Sequence, residues 1–260
     1  MGARAMWKAE ISVGEHTVPI KLYSAVEDRT VHFRMLDAKT RTPVEQQMFD
    51  PSTEQPVVDG TSRKGVQMEE GVFVVLNPDE IQSLEPPESR TIGIERFVPS
   101  SAISEAWYDR PYWLGPDGDD AAYFALVRAL AEEDMIGIAH WVMRKHRQHG
   151  ALRVNGDHLM LVRMRHTEEV VPASALTAPT GREADMREVA LAEQLVAALE
   201  GPFDPKELQS TYDDRVRELV EAKAAGKVVK LATPSKKKVT EGSLASALEA
   251  SLKKVGGARG

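Results

Sequence analysis

Cysteine is absent from all 260 residues, which removes disulfide staples, thiolate zinc sites and cysteine nucleophiles and suits a reducing cytoplasm. Long apolar runs are absent as well. No stretch approaches the roughly 20 residues that a helix needs to cross a bilayer, and Met1 to Lys8 lacks the apolar core of a secretory leader. The expectation is a soluble intracellular protein. The sequence holds no phosphate-cradling glycine loop and no Gly-x-Ser-x-Gly elbow, so nucleotide hydrolysis and acyl transfer have no support. What remains is a chain with 42% hydrophobic residues, enough for one substantial core with appendages.

Basic residues are in the minority, and the formal charge is −7. A polyanionic partner is bound by Lys and Arg that displace its counterions, so the sum argues against one. The distribution argues the other way. Residues 227–260 carry eight Lys/Arg against Glu241 and Glu249, a charge of +6, which leaves −13 on residues 1–226. Within that acidic body lies a basic island: Met135 to His166 holds Arg144, Lys145, Arg147, Arg153, Arg163 and Arg165 against Asp157 alone.

The period of the opening segment is two. Trp7, Ala9, Ile11 and Val13 alternate with polar neighbours, and Val18, Ile20 and Leu22 follow suit, which predicts a half-buried hairpin. A third strand is expected where Val31, Phe33 and Met35 share one face and His32 and Arg34 the other. From Asp37 to Gly71 the pattern dissolves around Pro43, Pro51 and Pro56, as in an excursion from a sheet. Strands resume at 72–76, 91–94 and 108–114, separated by turns, so the sheet should be antiparallel.

A helix fits 121–133, where Tyr123, Leu126, Val127 and Leu130 form a stripe that Asp119 or Asp120 caps. Strands are expected again over 136–147 and 151–165, the latter broken by the hairpin dipeptide Asn155-Gly156. The last third changes to a helical period. Leu191, Leu195, Ala198 and Leu199 form one stripe, ended by Gly201-Pro202. A second helix is predicted from Asp204 as N-cap and Pro205 at the first position, with Leu208, Tyr212, Val216, Leu219 and Val220 as its stripe and Gly226 as its stop. Beyond it the Lys-, Thr-, Ser- and Gly-rich composition cannot support a core, although Leu244, Leu248 and Leu252 are spaced for one helical face.

The segments Trp7 to Gly14, Val18 to Ala25 and Glu27 to Phe33 resemble the opening of the prokaryotic Ku family. Phe203-Asp204-Pro205 through Tyr212, Arg215, Glu218 to Val220 and Ala222 to Lys227 are similar to its C-terminal arm. The resemblance implies an α+β, mainly antiparallel fold: a seven-stranded β-barrel with an inserted bridge and a C-terminal helical arm. On that basis residues 1–184 form the core, with the bridge at roughly 36–71, residues 185–226 the dimerising arm, and residues 227–260 a basic, mostly disordered tail. The family's larger eukaryotic members carry an extra α/β domain, whereas this sequence opens on the barrel pattern, so the homodimeric form is implied. Many members have a cysteine pair in the bridge; Gln46 to Pro51 stand in that neighbourhood here.

The resemblance further implies a non-enzymatic, cofactor-free ring of two subunits that binds double-stranded DNA ends in the cytoplasm, at the nucleoid, and recruits DNA ligase D. Contacts blind to sequence must go to phosphates. The candidates are Arg29, His32, Arg34, Lys39, Arg41, Arg63 and Lys64 on the bridge side. Arg144, Lys145, Arg147 and Arg153 are added from the basic island, and Lys236, Lys237 and Lys238 from the tail. Against the bridge set, seven acidic residues balance seven basic ones between Lys21 and Lys64, as on a merely solvated face. Leu208, Tyr212, Val216 and Leu219 are the candidates for the dimer interface, or else they pack on their own barrel. Two rival readings stand. His140, His146 and His149 would ligate a metal with Asp157 or Glu168. Alternatively, a β-barrel module would bind RNA or single strands with Trp141 as a stacking platform.

Overall fold

The computed structural model describes residues 4–58, 60–177, 180–181, 183–226 and 251. They form two compact units, one of the described residues up to Arg29 with Arg34–Ala175, the other of Thr30–Phe33 with the described residues from Leu176 onward.

The first unit runs β1 (Trp7–Val13), β2 (His16–Ser24), β3 (Phe49–Asp50), β4 (Gln55–Pro56), β5 (Lys64–Glu69), β6 (Val72–Leu76), α1 (Pro78–Ser83), β7 (Thr91–Pro99), β8 (Tyr108–Pro116), α2 (Asp120–Glu132), β9 (Met135–Met143), β10 (His146–Asn155) and β11 (His158–Met164). Seven of these strands close a barrel in the order β1-β2-β8-β11-β10-β9-β7. The predicted alternation is the reason. Ile11 on β1, Ile20 and Leu22 on β2, Leu114 on β8 and Leu159 and Leu161 on β11 all point inward and are buried, and a barrel of this size is filled by its own side chains. The antiparallel expectation holds for every neighbouring pair but one: β1 and β7, which close the barrel, run parallel.

Helix α2 plugs one end. The Asp119 carboxylate accepts from Ala122 N at 3.0 Å, and Tyr123, Val127 and Leu130 join the barrel core. The buried Tyr123 hydroxyl donates to Leu114 O at 2.6 Å and accepts from Leu159 N at 2.9 Å, tying the plug to two strands. Tyr123→Phe orphans both backbone groups, so it should cost about 1–3 kcal/mol, read as a lower urea midpoint at unchanged slope.

Three expectations are corrected, and a fourth holds outside the barrel. No strand forms over Val31 to Met35. Its alternation is real, but the sole ladder contact nearby is the isolated Leu36–Pro43 bridge, and a strand without a partner is not stable. Val72 to Leu76 is a strand, yet it pairs only with β5 in a separate hairpin. The strand expected over 136–147 folds back at Arg144-Lys145. The second arm helix starts later than Asp204. The Asp204 carboxylate caps only a 3-10 turn, Pro205–Glu207, and Leu208 leaves helical geometry with ψ 49°.

The second unit contains α3 (Met186–Leu199) and α4 (Thr211–Ala224). A reciprocal capping box between Asp185 and Glu188 starts α3, and Ser210 caps α4 by accepting from Asp213 N at 3.2 Å. Gly226, at φ 71°, ends α4 as expected. The Val31 amide donates to the Asp213 carboxylate at 3.4 Å, which joins the Thr30–Phe33 segment to α4. Among the described residues no helix is long and apolar enough to cross a membrane.

Candidate nucleic-acid interface

The basic island folds into the β9–β10 hairpin. Met143 pairs with His146, leaving Arg144 and Lys145 as a two-residue turn with φ of 51° and 67°. Two left-handed residues in that position define the turn type that normally takes Asn-Gly. Holding two long basic side chains there costs on the order of 1–2 kcal/mol each. Lys145 is tethered by the Glu85 carboxylate at 2.9 Å, which raises its pKa above the ordinary lysine value and occupies its charge. Arg144 is exposed at the hairpin tip, borders a cavity at this end of the barrel and has no ion pair among the described residues.

Along β10 the residues alternate between lumen and exterior. Leu152 lies in the core, so Arg147, His149 and Arg153 face outward. From Arg147 to Arg153 the row spans about 20 Å at ~3.3 Å per residue, the rise of roughly six base pairs at ~3.4 Å each. The Arg153 guanidinium lies 5.7 Å over the Tyr108 ring, which fixes its direction. Beside Arg147, a cleft is lined by Arg163, Arg165 and His166 together with Asp109 and Glu169. Asp109 binds the Arg163 guanidinium, so that pair is largely neutralised.

The bridge-side candidates scatter over exposed loops. Arg29 is paired with Glu27 at 2.9 Å, and Arg63 donates to the carbonyls of Gly60 and Ser62. Arg41 closes a turn at φ 58°, Lys39 lies inside the same turn, and Lys64 opens β5. His32 and Arg34 are exposed and do not share a strand face. The turn itself is well held. The Asp37 carboxylate accepts from Thr40 N at 2.7 Å, Thr40 Oγ1 at 2.9 Å and Lys39 N at 3.0 Å, which lowers its pKa below the ordinary 3.8. Because the folded pKa lies below the unfolded one, this carboxylate stabilises the turn above pH 3.8 and stops doing so as pH falls through the depressed value. An NMR titration should place its midpoint under 3.8, with the Thr40 amide shifting in step; a midpoint at or above that value would contradict the assignment.

Comparison with known proteins turns this geometry into a classification. The family profile described as Ku70/Ku80 beta-barrel domain matches residues 12–191, well over half of the chain. The chain belongs to the Ku family. Among its relatives, non-homologous end joining protein Ku 2 of Geotalea uraniireducens is 32% identical over 98% of this chain and all of that protein. Non-homologous end joining protein Ku of Heliobacterium modesticaldum is 33% identical over 98% of this chain and 93% of its own length. The Anaeromyxobacter protein of the same name is 34% identical, covering 96% and 85%.

In this Ku chain the matched segment contains every bridge and hairpin candidate, and α4 and the tail lie beyond it. On the arm, Leu208 and Tyr212 are 74% and 64% exposed, whereas Val216 and Leu219 are half-buried. Lys236 to Lys238 and Leu244, Leu248 and Leu252 lie outside the described residues. The histidine triad does not converge: His140 and His149 face outward as a pair while His146 shares the lumen face with Met143. Among the described residues no group of three metal-ligating side chains occurs. Trp141 is only 1% exposed, so it packs the core rather than stacking on bases.

Charge clustering marks Arg163 as part of the basic island but does not place it, and it does not mark Arg110. Arg110 and Arg163 lie beside an irregularity in the β8–β11 register and line one cavity together with Tyr112, Trp141 and Gln148. Counting in twos from the apolar residues does not place them, because the register shifts between Val162 and Met164.

Proposed function

We propose that this Ku protein acts as a homodimeric ring on double-stranded DNA ends in non-homologous end joining, holding the duplex through its phosphates and recruiting DNA ligase D without catalysing a reaction itself. The observation that carries the reading is the outward row Arg147–His149–Arg153, with Arg144 at the hairpin tip, in a chain whose net charge is negative. Positive charge confined to one surface lets an acidic protein bind DNA while its other faces repel unproductive contact.

Dimerisation is supported by apolar surface that a lone chain leaves open. On the β5–β6 hairpin Val66, Met68, Val72, Phe73, Val74 and Val75 are all exposed, on both faces, and a two-stranded ribbon is not stable in water by itself. Leu208, Tyr212 and Val220 add to it on the arm. A twofold partner presents the same patches in return.

The test is a gel shift of a linear duplex against the same sequence closed into a circle, over a salt series. Tight binding to the linear form alone, weakening steeply with salt, is expected. Equal binding to circles would overturn the ring. Truncation after Gly226 should leave the dimer intact in sedimentation but remove stimulation of ligase D; unchanged stimulation would exclude the tail from recruitment.

A further inference from the structure

The barrel has two unlike ends. At one, α2 and Tyr123 seal the lumen. Toward the other, the inward rows turn from apolar to polar together. On β10 Leu152 and Gly150 give way to Gln148 and His146, and past the register shift between β8 and β11 Arg110 and Arg163 follow the apolar Tyr112, Leu114, Leu159 and Leu161. These side chains, with Arg144 and the indole of Trp141, line a cavity of about 150 Å³ that contains no carboxylate in its wall. We propose that this mouth is a binding site for a phosphate-type oxyanion.

The chemistry of the lining selects the ligand. Arg110, Arg144 and Arg163 are permanent cations that only donate hydrogen bonds. Asp109 offsets the charge of Arg163, and Arg110 and Arg144 leave the wall with an excess of positive charge. The Arg110 guanidinium lies 6.0 Å from the Tyr112 ring centroid, steadied beside the cavity. The Trp141 indole N–H is buried without a hydrogen-bond partner among the described residues. Leaving such a donor unpaired is costly, and native structures rarely do so without a reason. A cation would be repelled and an apolar group would leave the donors unmet. A compact dianion with several acceptor oxygens can satisfy the indole and the guanidiniums together, and mouths of β-barrels are common places for such pockets.

The phosphate can come from free orthophosphate or from the 5′ end of a nucleic-acid strand. The site does not rest on the DNA-end reading, because orthophosphate alone tests it. In the full-length protein the four tryptophans give separate indole N–H signals by NMR, and Trp141→Phe identifies that of Trp141. Titration with inorganic phosphate at constant ionic strength should move that signal, and Arg110→Gln should weaken the response about tenfold or more, as loss of one charge-assisted contact does. Gln148→Ala provides a second variant should the first misfold. A signal that moves with a duplex bearing 5′-phosphate but not 5′-hydroxyl assigns the strand end as a source, and one that moves with orthophosphate alone assigns the free anion. No shift of the Trp141 signal with either, or an equal shift with chloride or in both variants, would overturn the site.

Discussion

Reversing Arg144, Arg147 and Arg153 together to glutamate is expected to lower the affinity for linear duplex by about a thousandfold per protomer near 0.1 M salt. Each lost phosphate contact removes roughly 0.9 from the slope of log affinity against log salt, so three remove about 2.7 per protomer and a dimer twice that. Fluorescence anisotropy over a salt series reads both quantities. The barrel should stay folded, since none of the three side chains is buried in its core, and the loss of the Arg153–Tyr108 contact is worth only about 0.5–1 kcal/mol. The opposite reversal, Glu85→Lys, frees Lys145 from its carboxylate and should strengthen binding. If the triple reversal leaves the salt slope unchanged, the duplex lies elsewhere.

Gly150→Ala is expected to have the largest effect on stability of any single methyl addition to the barrel. A Cβ at that position would meet Val162 O at 2.6 Å and the Trp141 ring carbons at 2.7 and 2.8 Å. One obstacle is backbone in the β10–β11 ladder, and the other is a large side chain with almost no exposed surface. Neither can move aside cheaply, so the cost should exceed the usual overpacking range of about 1–3 kcal/mol. Gly93→Ala makes the natural control. Its Cβ would come within 2.6 Å of the His140 ring, but that ring is 42% exposed and can swing outward. Urea denaturation of the two variants should therefore rank Gly150→Ala well below Gly93→Ala; equal midpoints would mean that Trp141 is less firmly packed than the structure has it.

The barrel was legible because its strands carry their inward residues at a strict period of two. Trp7 to Val13 pairs with His16 to Leu22 in the register that the alternation predicts, and Gly156 at φ 60° turns the β10–β11 hairpin beside Asn155. The errors arose where local pattern and tertiary partner part company. Val31, Phe33 and Met35 alternate as a strand would, but the Val31 amide goes to Asp213, 182 residues away, which no local window contains. The Arg144-Lys145 turn carries none of the usual Asn-Gly signal. Asp204-Pro205 is a good helix start in isolation, and Leu208 breaks it within one turn.

The site was half legible. Clustering of like charge marked the hairpin, since strand neighbours in sequence are also neighbours in space. The bridge candidates could not be sorted the same way. Whether Arg29 or Arg63 is free depends on Glu27 and on the carbonyls of Gly60 and Ser62, and charge counting does not reveal such partners. Arg110 lies outside the basic island of residues 135–166, and only the fold shows that its neighbour Asp109 turns to Arg163.

The proposed function requires the duplex to pass through a closed ring. It is tested by loading the protein on a linear duplex biotinylated at both ends, adding streptavidin to block them, and then following dissociation into excess competitor. A threaded ring must stay on the blocked duplex far longer than on an open one of the same sequence. Equal dissociation rates from blocked and open duplex would contradict threading and leave a protein that binds DNA from the side.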